Sequence, residues 1–478
     1  MTHQGGTLQK QPNILLLWTD QQRADTMACY GNHVIHTPNL NLLSQQSFVF
    51  KNAYCTQSLC TPARASLVTG LWPHKHKAIQ NSAFLDSNLD SIGEIIPDSY
   101  NKAYFGKWHL GDEFIAQRGF REWLSIEDYH DYRINVSKPE YSRLHSGYHK
   151  FLINAGYPAD KRTEDGLKVH SREFCAVLPP RYTKSHFLSG AAQQFLSEQT
   201  PNKPFFLSVS FLEPHPPMFS AYNDVHDPDS LPVSPAFMQI PKENTPEYLR
   251  KRATEFIETG FKNFDLSTEN DWRRLMANYY GVVSLVDEAI GSILAKLAEL
   301  GLEENTIVVF TSDHGEMLGD HMLLKKGVMY EPAIKIPFMI RVPWLSKQQN
   351  IIQERINHLD LIPTLLDIIE EPSRTGLDGI SLLNLLHNPN KALERNMFVE
   401  WNDVYEPDKI GRTIIAPENW KLTVRVNGQN ELYDLNSDPY ELDNKFFQAQ
   451  YGNITDELIQ RLADWQNKVS DTIGSPIQ

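Results

Sequence analysis

Cysteine is scarce in this chain: four residues among 478, at positions 29, 55, 60 and 175. No two of them form a CxxC pair, which counts against a disulfide scaffold and against a thiolate zinc site. Positive charge is also in deficit. Lys and Arg total 45 against 59 Asp and Glu, a net charge of −14. That balance argues against general nucleic-acid binding, which needs a basic face, while leaving room for a local basic pocket that takes an anion. Long apolar runs are missing as well. None approaches the roughly 18 residues of a membrane span, and the polar start MTHQGGTLQKQPN lacks the apolar centre of a signal peptide. The expectation is a cytoplasmic protein with neither membrane nor nucleic acid as partner.

What the chain does have is four short apolar runs that end in chemistry-bearing residues. NILLLWTDQQ ends at Asp20 and Gln21, KAYFGKWHLG at Lys107 and His109, PFFLSVSFLEPHPP at Glu213 and His215, and TIVVFTSDHGE at Asp313 and His314. Continuous apolar strands separated by helical segments imply a mostly parallel sheet covered on both faces. In such sheets the ligand site lies beyond the carboxyl ends of the strands. The four polar ends are therefore expected along one edge, with Asp20 and Asp313 presented to a common point. An Asp in that position can also do no more than cap the next helix. Lys107 and His109 alternate along the chain and are expected to point the same way.

A helix is predicted over about residues 271–300, with Asp287 a packing or pairing group. Residues 112–186 and the proline-rich stretch 213–247 lack apolar periodicity and read as excursions over the surface, lids or binding loops. After about residue 376 the texture changes to short antiparallel strands, with a turn at Asn427-Gly428, followed by a helix near 454–470. The predicted organisation is α/β: a large sheet domain over 1–375 and a small α+β subdomain over 376–478.

The stretch SLCTPARASLVTG, residues 58–70, sets one of the few cysteines at the start of a predicted helix, with Pro62 in the first turn and Arg64 four residues on. An anionic group at residue 60 would meet both the positive helix end and a guanidinium. A Cys-x5-Arg thiolate phosphatase is excluded, because position 66 is serine. A buried structural thiol, a nucleophile and a precursor of another group remain open from the residues alone.

The spacing Cys-x-Pro-x-Arg, continued through Ala-Ser-Leu-Val-Thr-Gly, resembles the signature of the formylglycine-dependent type I sulfatases of the alkaline phosphatase superfamily. LLLWTDQQRADTMACYG, GKWHLG, PHPP, SDHGEMLGDH, KKGVMYEPAIKIPFMIRVP and ELYDLNSDPYE extend the likeness over most of the chain. The resemblance implies that a maturation enzyme converts Cys60 to Cα-formylglycine. It implies hydrolysis of a small-molecule or saccharide sulfate ester: one hydroxyl of the aldehyde hydrate attacks sulfur, and the second drives release of sulfate. It implies metal ligation by Asp20, Gln21, residue 60, Asp313 and His314. Ca²⁺ is the expected ion, with Mg²⁺ or Mn²⁺ as alternatives because an imidazole joins the oxygen donors. By the same resemblance Arg64 holds the hydroxylate, Lys107 and Lys326 bind sulfate oxygens, and His109 serves sulfate release. His215 or Lys326 protonates the leaving oxygen. Lys325 is a rival for the role of Lys326, and His321 reads as structural.

Two other functions compete. One is a phosphonate monoester hydrolase or phosphodiesterase of the same superfamily, against which GKWHLG argues, since those relatives carry hydroxyl side chains there. The other is a non-catalytic anion-binding protein on this scaffold that keeps Cys60 as a thiol.

Overall fold

The structure, a computed structural model, describes residues 11–472 except 82, 129–143, 164–165, 201, 404 and 407–408. The polar N-terminal stretch read above falls largely outside the described residues, as does the centre of the first excursion. Among the described residues fifteen strands run in chain order: β1 (Asn13–Asp20), β2 (Phe48–Tyr54), β3 (Asn101–Gly106), β4 (Glu122–Leu124), β5 (Lys161–Arg162), β6 (Lys168–Val169), β7 (Phe205–Pro214), β8 (Thr306–Ser312), β9 (Lys335–Ile336), β10 (Phe338–Arg341), β11 (Asn350–Asn357), β12 (Met397–Trp401), β13 (Gly411–Ile415), β14 (Trp420–Arg425) and β15 (Glu431–Asp434). The main sheet has nine strands in the order β11-β2-β10-β8-β1-β7-β3-β4, with β9 paired to β2. The run β8-β1-β7-β3-β4 is parallel throughout, and β10 is inserted antiparallel between β8 and β2.

The apolar runs are continuous because both sheet faces are covered. Along β1, Ile14, Leu16 and Trp18 enter one core and Leu15 and Leu17 the other. The first core is closed by Ala63, Leu67 and Val68 of the helix Cys60–Thr69 and by Leu361, Ile362 and Leu365 of Leu361–Ile368. The second is closed by Leu188, Ala192 and Phe195 of Lys184–Ser197 and by Val286, Ile290 and Ile293 of the long helix Glu269–Glu299. Asp287 on that helix accepts the backbone N–H groups of Asn39 and Leu40 at the start of helix Pro38–Ser44, so it caps a neighbour.

The two excursions are more than surface loops. Tyr148, Leu152 and Cys175 of the first are buried in the second core. Met218, Leu231 and Phe237 of the second are buried in a third cluster against the long helix. Their elements are too short for any periodicity to register.

The four-stranded sheet β12-β13-β14-β15 is an antiparallel meander, and Asn427-Gly428 lies between its last two strands. Leu458, Leu462 and Trp465 of helix Gly452–Val469 pack on one of its faces. Met397, Val399 and Ile415 from its other strand positions join the main core. His74 Nδ1 meets Glu400 Oε1 at 2.6 Å across the same seam.

Candidate active site

The four runs with polar ends lie side by side as β8-β1-β7-β3, all pointing the same way, so their carboxyl ends form one edge. Asp20 closes β1, and Asp313 follows β8 directly. Gln21 takes a left-handed backbone conformation (φ 69°), and its N–H donates to Asp313 Oδ1 at 3.0 Å. Both carboxylates are fully buried.

Cys60 is the first residue of its helix, which begins from an extended Leu59 and stops at Gly70 in the left-handed conformation. Its sulfur lies 3.2 Å from His314 Nε2 and 3.7 Å from Asp20 Oδ1. His314 Nδ1 is 2.9 Å from the carbonyl of Gly315. That contact places the proton on Nδ1 and aims the Nε2 lone pair at the cluster, the tautomer that a metal-ligating histidine adopts. Ligand atoms of Asp20, Cys60, Asp313 and His314 all lie within 4.8 Å of one another.

Arg64, with no exposed surface, ties the two carboxylates together. Nη2 is 3.1 Å from Asp20 Oδ2 and Nε 2.9 Å from Asp313 Oδ2. Nη1 donates to the carbonyl of Lys107 and to Ser210 Oγ, and the guanidinium sits over the Trp18 ring at 4.5 Å. Its described hydrogen bonds go to these partners and not to the Cys60 sulfur. Arg64 therefore holds both carboxylates beside residue 60, and the Cys60 charge also acts on its guanidinium.

Lys107 Nζ reaches Asp20 Oδ2 at 2.5 Å. Strand alternation does not place it. β3 ends at Gly106, whose φ of 114° and close approach to Ser210 turn the chain. A Cβ there would stand 1.9 Å from the Ser210 carbonyl oxygen. His109 has φ 61° and is held by Thr61, whose hydroxyl donates to the His109 carbonyl at 2.9 Å. Lys107 and His109 thus converge through a kinked loop.

Lys326 and Lys325 part company. Lys326 Nζ donates to Gln21 Oε1, whereas Lys325 Nζ stands over the Phe261 ring at 5.0 Å. The lysine that enters the site is Lys326. His321 stacks on Tyr330, with centroids 3.9 Å apart, consistent with a packing role.

Burial alone would raise the Asp20 carboxyl, but Lys107, His215, Arg64 and Lys326 hold it well below its ordinary range. Burial and the facing Asp20 charge push Asp313 up. Burial works against the Lys326 ammonium, yet Cys60, Asp20 and Asp313 keep it above its usual value. Burial and the Lys107 charge depress His109, and burial with Lys326 and Lys107 depresses His215 well below normal, so both imidazoles rest neutral. Two facing buried carboxylates, an inward imidazole lone pair and residue 60 form a donor set that fits a divalent cation.

Two groups of residues escaped the sequence reading. Glu316 accepts from Gln21 Nε2 and from the backbone N–H groups of Lys325 and Leu318, so it turns the Gln21 oxygen toward Lys326. Its place within SDHGE was the available signal. The second group is Arg172, Glu127 and Lys184. Arg172 is paired to Glu127, Lys184 Nζ lies 2.7 Å from the same carboxylate, and Arg172 Nη1 is 3.4 Å from His215 Nδ1. No sequence signal marks these residues, which come from the aperiodic excursion.

Beyond Lys326 and Leu59 opens a cleft of about 810 Å³. Its far wall comes from the C-terminal sheet and the loops around it, with Trp401, Asp403, Asn427 and Gln429, and Tyr248 and Arg252 face them.

A sequence profile of the sulfatase family matches residues 12–370, and one described as N-sulphoglucosamine sulphohydrolase, C-terminal, matches residues 319–468. The chain is 28% identical to an arylsulfatase of Clostridium perfringens, over 94% of this chain and 93% of the relative. It is 25% identical to an N-acetylglucosamine-6-O-sulfatase of Bacteroides thetaiotaomicron, over 97% and 87% respectively. Its fold is similar to that of the phosphonate monoester hydrolase of Agrobacterium radiobacter, with a TM-score of 0.76, 25% identity and 96% of each chain covered. The shared alkaline-phosphatase-like fold, the buried cluster at residue 60 and the match over most of the chain converge: this protein belongs to the sulfatase family and is a sulfuric ester hydrolase.

Proposed function

We propose that Cys60 is matured to formylglycine by a dedicated enzyme and that the protein hydrolyses sulfate esters of saccharides. The observation that carries the reading is the convergence of Cys60, Asp20, Asp313 and His314 in one buried cluster, with Lys107 on Asp20 and Lys326 on Gln21, beside a cleft that Lys326 also lines. Asp20, Asp313, His314, residue 60 and the Gln21 oxygen would hold a divalent ion, with Ca²⁺ first and Mg²⁺ or Mn²⁺ as alternatives. When bound, that ion lowers the energy of a deprotonated hydroxyl and polarises a sulfate oxygen. The hydrated aldehyde supplies the attacking hydroxyl and the second one needed for release.

The chain's own residues do the rest. Arg64 holds Asp20 and Asp313 in register. Lys107 and Lys326 neutralise charge that grows on the sulfate oxygens, inside a buried site where such charges act strongly. His109, neutral and beside residue 60, accepts the proton of the second hydroxyl. His215 and Lys326 flank the leaving oxygen; Lys326, which stays charged, is the better proton donor. The cleft supports a saccharide: Trp401 offers an apolar face, and Asp403, Asn427 and Gln429 offer planar hydrogen-bonding groups to a polyol. The name of the relative from Bacteroides thetaiotaomicron points the same way.

Residues 1–375 are read as the catalytic unit and 376–478 as a subdomain that walls the cleft. Among the described residues no helix is long and apolar enough to cross a membrane. All four cysteines are unpaired, which suits a reducing compartment such as the cytoplasm.

Intact-mass spectrometry beside a hydrolysis screen tests the reading. Active protein should be lighter than its sequence mass by about 18 Da, the exchange of sulfur and two hydrogens for oxygen at residue 60. Sulfated monosaccharides should be turned over faster than aryl sulfate, choline sulfate or a phosphonate monoester. Active protein with an unmodified Cys60 would sink the nucleophile, and preference for the phosphonate would move the enzyme to its superfamily neighbours.

A further inference from the structure

A second group of metal-capable side chains lies outside the catalytic cluster. Asp128, His145 and His149 bring one carboxylate oxygen and two imidazole nitrogens within 4.8 Å of one another. Asp128 Oδ1 accepts the N–H of Ser146, which fixes the carboxylate and leaves Oδ2 facing both rings. That oxygen contacts His149 Nδ1 and lies 3.6 Å from His145 Nδ1. His149 lies in the first turn of helix Gly147–Asn154 and His145 just before its N-cap Ser146, and the chain entering the helix brings their rings together.

A capping role explains only part of this. Asp128 could simply cap Ser146 and accept a proton from His149. It does not explain two imidazole nitrogens that are shielded from solvent and have no hydrogen-bond partner among the described residues, Nδ1 of His145 and Nδ1 of His170. The His170 ring lies 4.5 Å from that of His149, edge-on. Its Nε2 is 3.1 Å from the carbonyl of Tyr157, so the proton sits there and Nδ1 keeps its lone pair. A ring nitrogen anchored to a carbonyl with the other left bare is the arrangement found around metal-bound histidines. Leaving such atoms buried and unpaired costs free energy that a bound cation would offset.

We propose that Asp128, His145 and His149 form a second metal site that takes a borderline transition ion of the zinc class, with His170 beside it. Two imidazoles and one carboxylate suit zinc better than calcium, which prefers oxygen alone, and three protein ligands leave a fourth position open. The rings of His145 and His149 stack 3.8 Å apart and 13° from parallel, so sharing one ion requires His145 to tilt. With 31% of its side chain exposed, it has the freedom to do so. The position gives the site a purpose. Asp128 follows Glu127, which grips Arg172 and Lys184, and Arg172 reaches His215. A metal at Asp128 would steady the Glu127–Arg172–His215 chain of contacts without touching the reacting atoms.

The test uses the full chain carrying Cys60→Ala, which weakens the catalytic cluster as a zinc site, with excess calcium present. After chelator treatment and dialysis, zinc is titrated and bound metal counted; cobalt is added in parallel for its visible spectrum. One tight equivalent is expected. His145→Ala and His149→Ala should each lower zinc affinity at least about tenfold, since loss of even an outer partner of a metal costs that much. No zinc bound, or unchanged affinity in both variants, would overturn the proposal. Should His149→Ala fail to fold, protection of His145 from diethyl pyrocarbonate by zinc in the Cys60→Ala protein decides. Shielding supports the site, and equal modification with and without zinc refutes it.

Discussion

Replacing Lys326 with alanine, beside a Lys325→Ala control, separates the catalytic geometry from general basicity. The two residues are neighbours and carry the same charge, so the loop's net charge falls equally in both variants. Only Lys326 sends its ammonium to Gln21 Oε1 at the cluster mouth, whereas that of Lys325 lies 5.0 Å from the centre of the Phe261 ring. Removing one preorganised donor from a site where charge develops typically slows kcat by about 10²–10³, or roughly 3–4 kcal/mol. Lys326→Ala should fall in that range with a sulfated monosaccharide or an aryl sulfate. If Lys326 also protonates the leaving oxygen, the loss should be smaller for an aryl sulfate, whose alcohol leaves with less help. Lys325→Ala forfeits a cation–π contact of about 1 kcal/mol and should stay within about threefold of the parent. The assay is steady-state release of sulfate, with circular dichroism to show that both variants fold. Equal losses in the two variants, or a larger loss at Lys325, would refute the assignment and the geometry beneath it.

Three further outcomes are expected. Arg64→Met should destabilise the chelator-treated protein by about 3–5 kcal/mol, because two buried carboxylates lose their shared cation; added calcium should then stabilise the variant more than the parent, as read by urea unfolding. Gly106→Ala should destabilise by more than about 3 kcal/mol and abolish sulfate release, since the new methyl meets the Ser210 carbonyl and the backbone conformation disfavours any side chain; near-parental stability in a melt would contradict the close approach. Burial, the largest influence on His76, depresses its pKa to about 3, so its imidazole is neutral when folded. As pH falls below the ordinary value near 6.5, the unfolded chain gains a proton that the folded one refuses, and stability should drop by about 1.4 kcal/mol per unit toward pH 3. His76→Gln should flatten that slope between pH 6.5 and 4; an unchanged slope would show that His76 does not set it.

The parts of the site that could be read in advance are those that sit where an apolar run stops. Asp20, Asp313 and His314 follow strands buried on both faces, so hydropathy alone marks where β1 and β8 end and where a ligand edge begins. Alternation along the chain does not account for where Lys107 and His109 lie. Alternation holds only inside a strand, and the turn at Gly106 comes first. Arg64 was visible as a partner of residue 60, but its engagement with both carboxylates is a tertiary fact that helical spacing does not carry. Arg172 and Glu127 were illegible because short elements with few apolar residues impose no period, and Lys184 because the apolar period of its helix says nothing of the helix's first residue. Their neighbours Tyr148 and Leu152 are nonetheless buried, since the parallel sheet offers a face that something must cover.

The cleft wall at Trp401, Asp403, Asn427 and Gln429 lies more than three hundred residues along the chain from Cys60. The groups that would break the bond to sulfur and those that would hold the departing alcohol therefore occupy separate stretches of polypeptide. Either can be rewritten by substitution while the other stays as it is. Exchanging the strand ends and turns of the small meander for those of another homologue is accordingly a route to retarget the enzyme, with its bond-breaking apparatus carried over unaltered.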